Sequence, residues 1–268
     1  MIPFVEKLRR ATGENRPGLC VGLDPDPARL PDGFPRDLAG MARFLHQVVE
    51  VSAPYAAAYK VNTAFYEAFG ADGWRVMEEI AAALPPQAVR LADAKRGDIG
   101  NTAQRYAEAF LGRLPFDALT LSPYLGGDSL QPYLRDPAKG AFVLALTTNP
   151  GSQDLQIFSD GKEKLYQRVL RLIPQWAPHG NLGAVAGATH PQELAALRAE
   201  FPAVPLLIPG VGAQGGDLQA IVDLPYGPGR GPVLVNLSRA LLYPGNGLPF
   251  PACVAQACRE YHRALAGA

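Results

Sequence analysis

Eight short apolar runs, separated by stretches of helical spacing, constrain this chain more than any other feature. The runs are Gly18 to Asp24, Tyr55 to Asn62, Ala88 to Lys95, Asp117 to Leu121, Ala141 to Thr147, Asn181 to Ala186, Pro205 to Ile208 and Pro232 to Asn236. Helical periodicity fills the gaps, as in Leu38 to Ser52, Gly73 to Leu84, Asn101 to Leu114, Glu163 to Trp176, Pro191 to Glu200 and Gly216 to Val222. Strand and helix alternating at the ~30-residue spacing of a βαβ unit predict a parallel sheet. An open doubly wound sheet and a closed (β/α)8 barrel both accept that pattern. Eight units in 268 residues match the barrel, which takes about 250 residues as one domain, and no linker or low-complexity block divides residues 1–268.

A barrel gathers the C-terminal ends of its strands at one mouth, so residues far apart in sequence form one site. Polar residues end these runs: Asp24, Lys60 with Asn62, Asp93 with Lys95, Thr147 with Thr148, the Pro209-Gly210 turn, and Asn236 leading to Arg239. Strand side chains two apart share a face, which aims Asp93 and Lys95 together, Lys60 beside them, and Asp24 on the same side of the first strand. Only six lysines stand against nineteen arginines, yet two of the six end adjacent predicted strands. An ammonium can give up a proton and a guanidinium practically never does, so a proton-donating role accounts for the choice. A buried structural ion pair is the alternative, although crowded charges cost desolvation that a structural site need not incur.

Pro209-Gly-Val-Gly-Ala-Gln-Gly-Gly216 matches G-x-G-x-x-G through Gly210, Gly212 and Gly215. A dinucleotide fold needs that motif early and an acid at the end of the next strand, which here ends in Asn236. The glycines instead fit a phosphate loop, since barrels hold phosphate between the loops after strands seven and eight. Gln214 adds an amide donor there, and Arg239 is placed to grip two phosphate oxygens. The long segment Thr148 to Glu163 is expected to cover the mouth.

Composition narrows the remaining classes. The 25 basic and 25 acidic side chains cancel, which removes the electrostatic footprint of a nucleic-acid binder. No stretch nears the ~18 apolar residues of a membrane span, and the N-terminal residues lack a secretory pattern. Three cysteines, Cys20, Cys253 and Cys258, form no disulfide framework, so a cytoplasmic protein with reduced thiols is expected. The four histidines are scattered, and no pair is spaced to present metal ligands.

Taken together, Asp93-Ala-Lys-Arg-Gly-Asp98-Ile-Gly-Asn-Thr102, Lys60-Val-Asn-Thr-Ala-Phe65 and the glycine-rich segment resemble the orotidine 5'-phosphate decarboxylase family, in its longer bacterial branch. Val21-Gly-Leu-Asp-Pro25, Thr147-Thr-Asn-Pro-Gly151, Gly187-Ala-Thr189 and Asn236-Leu-Ser-Arg239 extend the resemblance over nearly the whole chain. It implies a homodimeric barrel that releases CO2 from orotidine 5'-monophosphate to form uridine 5'-monophosphate, without cofactor or metal. The resemblance further implies a charged array of Lys60, Asp93 and Lys95, completed by Asp98 from the neighbouring subunit. Asp24 and a partner-supplied Thr102 match ribose contacts, and Thr148 matches a pyrimidine contact. Pro209, Gly210, Gln214, Gly215 and Arg239 fall at the phosphate grip. Magnesium-dependent aldolases and sugar-phosphate decarboxylases of the same superfamily use a similar Asp-x-Lys-x-x-Asp pattern and stand as the alternative, as does a catalytically silent phosphate binder.

Overall fold

The eight apolar runs become eight parallel strands: β1 (Gly18–Gly22), β2 (Ala58–Asn62), β3 (Val89–Arg96), β4 (Ala118–Leu121), β5 (Gly140–Leu146), β6 (Leu182–Ala186), β7 (Leu206–Ile208) and β8 (Val233–Leu237). They close into a barrel in chain order, β8 pairing back onto β1 through Gly18 beside Leu234 and Cys20 beside Asn236. The closed (β/α)8 barrel is realised rather than the open sheet. These features come from a computed structural model, which describes residues 2–13, 16–211 and 216–267.

Burial on both faces explains why the strands read as apolar runs rather than as alternating ones. One parity packs inside the barrel, with Cys20, Ala58, Leu91, Ala118, Phe142 and Leu234 among its members. The other parity, including Leu19, Tyr59, Ala92 and Leu119, packs outward against the helices. The helices Leu38–Ser52 and Pro191–Glu200 lie where periodicity places them, the first opened by Asp37, whose carboxylate accepts the Gly40 N–H at 2.8 Å. The stretch expected as one helix from Asn101 to Leu114 is divided. An α-helix, Gly100–Ala107, gives way to a π turn, Glu108–Arg113, in which the Leu114 N–H reaches the Ala109 carbonyl at 2.9 Å. Phe110 in that turn packs against Trp74 and Phe116, with ring centroids 6.0 Å and 6.3 Å away.

A helix that the periodicity search did not single out, Phe4–Thr12, closes the floor of the barrel. Phe4 and Leu8 join the interior cluster, and the Phe4 ring meets Phe142 edge-on at 6.2 Å. Gly140 permits that approach, because a Cβ there would lie 2.1 Å from Phe4 Cδ1. With the floor filled, the open end is the one where the strands terminate. Among the described residues no helix is long and apolar enough to cross a membrane.

Candidate active site

The tips of β1, β2 and β3 carry an alternating row of charges across the mouth. Lys60 Nζ donates to Asp93 Oδ2 at 2.9 Å and lies 3.6 Å from Asp24 Oδ1, while Lys95 Nζ donates to Asp93 Oδ1 at 2.5 Å. Lys95 is the accessible end of the row: its side chain is 48% exposed, against 5% for Lys60 and 11% for Asp93. Burial by itself would depress the Lys60 ammonium, yet the carboxylates of Asp24 and Asp93 outweigh it and hold that group above its ordinary value. Burial would likewise raise Asp93, but Lys60 and Lys95 prevail and keep it below the usual carboxylate range. Lys60 is therefore a fixed cation between two acids. Beneath it the Cys20 thiol is pushed up to about 12 by burial, only partly opposed by Lys60, and stays neutral.

Asp93 and Lys95 meet, although not through the simple alternation expected of a strand. The β3–β4 ladder passes from Ala92 beside Leu119 to Arg96 beside Leu121, so β3 carries two extra residues and bulges between them. Lys95, at φ +46, is the one non-glycine residue with positive φ among those described. Its N–H donates to Thr120 Oγ1 at 2.9 Å, and that hydroxyl donates to Asp93 Oδ1 at 2.9 Å. Thr120, 1% exposed on β4, escaped the sequence reading because a single threonine in an apolar strand passes for a β-former. Its parity with the interior residue Ala118 was the available signal.

Two cavities of about 380 Å³ each open from the row and share Lys60, Asp93 and Pro209. One also contains Lys95, Thr120, Thr147, Thr148, Asn149 and Gln156. The other contains Asp24, Asn62, Asn236, Gly210, Arg239 and Arg29. Gly210 has φ +96, a conformation glycine adopts without strain, and it opens the turn after β7. Arg29, which the sequence reading passed over, stacks on the Tyr243 ring at 4.5 Å and puts a second guanidinium beside Arg239 in this lobe. Gln214 and Gly215 lie outside the described residues. In the segment after β5, Gln156 folds back so that its Oε1 accepts the Thr147 N–H at 2.7 Å, placing Asn149 and Gln156 at the rim. Leu155 and Phe158 remain exposed.

Asp98 and Thr102 stand apart. Asp98 accepts the Ile99 N–H at 2.8 Å, Thr102 is exposed on the helix Gly100–Ala107, and neither lines the two cavities. The loops after β3 and β4 run side by side, a Cβ at Gly97 falling 3.2 Å from Ser122 Cβ, and they expose Ile99, Tyr124 and Leu125.

Comparisons with known proteins give the chain its family. Residues 17–246 match the model of the orotidine 5'-phosphate decarboxylase / HUMPS family. The orotidine 5'-phosphate decarboxylase of Herpetosiphon aurantiacus is 43% identical over 264 residues, covering 98% of this chain and 96% of the relative. That of Paracidovorax citrulli is 45% identical, covering 98% and 97%. The solved structure of Leishmania donovani OMP decarboxylase superposes with a TM-score of 0.83 at 38% identity, covering 100% of both chains.

Proposed function

This chain belongs to the orotidine 5'-phosphate decarboxylase / HUMPS family, and we propose how its barrel mouth performs the family's reaction. It is a carboxy-lyase that decarboxylates orotidine 5'-monophosphate to uridine 5'-monophosphate in pyrimidine biosynthesis. When the C6–carboxylate bond breaks, its electron pair stays in an in-plane orbital at C6 that the ring π system cannot absorb. A fixed cation at that atom is the remedy, because a preorganised ammonium in a water-poor site stabilises a developing anion better than water does. Lys95 is our assignment for that cation. Lys60 is enclosed by two carboxylates, whereas Lys95 is the accessible end of the row. CO2 departs, the Lys95 ammonium transfers a proton to the C6 electron pair, and solvent reprotonates the amine.

The remaining roles are assigned from the family resemblance, and the lining of the two cavities supports those of Thr148, Asp24, Pro209, Gly210 and Arg239. Thr148 faces the pyrimidine in the Lys95 lobe, and Asp24 meets the ribose. Pro209, Gly210 and Arg239 of the second lobe receive the phosphate, and the family resemblance adds Gln214 and Gly215, which lie outside the described residues. Among the described residues Lys60 meets two acids and Lys95 one, which leaves room beside Lys95 for the second carboxylate that the family resemblance implies. We assign it to the partner subunit's Asp98 in a homodimer, with the partner subunit's Thr102 on the ribose. Asp98 on a rim loop outside its own cavities, beside exposed Ile99, Tyr124 and Leu125, suits that role.

The observation that carries the mechanism is the accessible Lys95 ammonium anchored on Asp93. Lys95→Ala and Asp98→Ala chains are expected to be inactive alone and to regain about one working site per mixed dimer when combined. A mixture as inactive as its components would show that each chain supplies its own site. Turnover of orotidylate that persists in EDTA is the outcome expected over the magnesium-dependent sugar-phosphate alternative.

A further inference from the structure

The backbone of Lys95 is held in an unfavourable conformation beside Thr120, a buried residue in the wall of the Lys95 lobe. Left-handed φ in a non-glycine residue costs on the order of 1–3 kcal/mol and persists only where neighbours enforce it. The bulge in β3 removes the Lys95 N–H from the strand ladder and leaves that donor in want of another acceptor. Thr120 Oγ1 supplies it at 2.9 Å. Because the amide must be the donor in that contact, the single hydroxyl proton is committed to Asp93 Oδ1, also at 2.9 Å. Lys95 Nζ closes the loop on the same Oδ1 atom. Backbone amide, hydroxyl, carboxylate and ammonium thus form one ring, which fixes both ends of Lys95 relative to Asp93.

We propose that Thr120 is a positioning residue for decarboxylation: its hydroxyl holds the strained Lys95 backbone and the Asp93 carboxylate in one register, aiming the ammonium at C6. The proposal rests on the assignment of Lys95 as the C6 cation. A misplacement of about 1 Å in a reacting group can lower the rate about 100-fold, and binding contacts far from C6 do not register it. Valine matches threonine in branching and volume but provides neither hydrogen bond. Thr120→Val is therefore expected to reduce kcat about 10- to 100-fold, with KM for orotidylate and affinity for uridylate changed less than about 3-fold. Thr120→Ser, which keeps the hydroxyl, is expected to recover turnover to within about 3-fold of the parent. Thr120→Ala repeats the measurement should the valine variant not fold.

A folded Thr120→Val or Thr120→Ala enzyme with parental kcat overturns the inference. So does a serine variant as slow as valine, because the methyl group and not the hydroxyl would then matter. Lys95→Ala, assayed alongside, separates the two levels. Inactivity there with full activity in Thr120→Val refutes only the positioning role, whereas retained activity in Lys95→Ala removes the assignment beneath it.

Discussion

A carboxylate that receives Lys60, Lys95 and the Thr120 hydroxyl, as Asp93 does, must remain ionised for those contacts to persist. Its folded-state value lies below the ordinary 3.8, so its stabilisation is complete above that value and is lost as pH falls through it toward the folded value. Lys60 has the opposite sign: raised above 10.5, it contributes fully below that value and loses its contribution only as pH rises beyond it. Both contributions are intact at neutral pH. Asp93→Asn, which leaves a buried ammonium with Asp24 alone, is expected to lower the free energy of unfolding by about 3 kcal/mol at neutral pH. Urea titrations of both proteins should find that gap narrowing as pH drops below about 4. A gap independent of pH would mean that the charge on Asp93 does not support the fold. Lys60, Asp93 and Lys95 were legible in the sequence because lysine is scarce and falls at strand ends, although the bulge and not strand parity brings Lys95 onto Asp93. The bulge was not, since register against a neighbouring strand is set by tertiary pairing that no local pattern carries, and without the bulge the parity of Thr120 with Ala118 does not single it out.

At the scale of elements, the floor of the barrel depends on a helix fitting against a glycine. Phe4→Ala removes the ring that fills the interior beside Phe142 and is expected to cost about 3–5 kcal/mol. Gly140→Ala drives a methyl into that ring and is expected to cost about 1–3 kcal/mol. With the ring absent the methyl has room, so Gly140→Ala in the Phe4→Ala background should be nearly neutral, a coupling of at least about 1 kcal/mol. Additive losses in chemical denaturation would mean that the two residues do not share the floor. All eight strands were legible because burial on two faces demands continuous apolar runs. Phe4–Thr12 was missed because it is short and only Phe4 and Leu8 along it are large apolar side chains that enter the interior. The division at Ala107 was missed because Phe110 suits an α-helix and a π turn equally until Trp74 and Phe116 pack against it.

Across the whole molecule, 25 basic and 25 acidic groups leave no net field to draw in a phosphate dianion, so attraction for the substrate must be local. On the proposed assignment the guanidinium of Arg239 provides it, with Arg29 lining the same lobe as Gly210, while the ammonium of Lys95 lies in the other lobe. In the proposed binding mode a nucleotide spans both lobes, gripped at one end and transformed at the other, so that binding energy from the remote end orients the reacting end. Two charge-assisted hydrogen bonds at about 1.5 kcal/mol each amount to about 3 kcal/mol, or roughly 100-fold in kcat/KM. Arg239→Ala is accordingly expected to slow orotidylate decarboxylation by about that factor, while orotidine, which lacks the phosphate, is affected less than about 3-fold. Equal losses on both substrates would place the effect of Arg239 in the architecture of the mouth rather than in phosphate binding. The discriminating quantity is the ratio of the two kcat/KM values, since a general distortion of the barrel cancels in it and a lost phosphate contact does not.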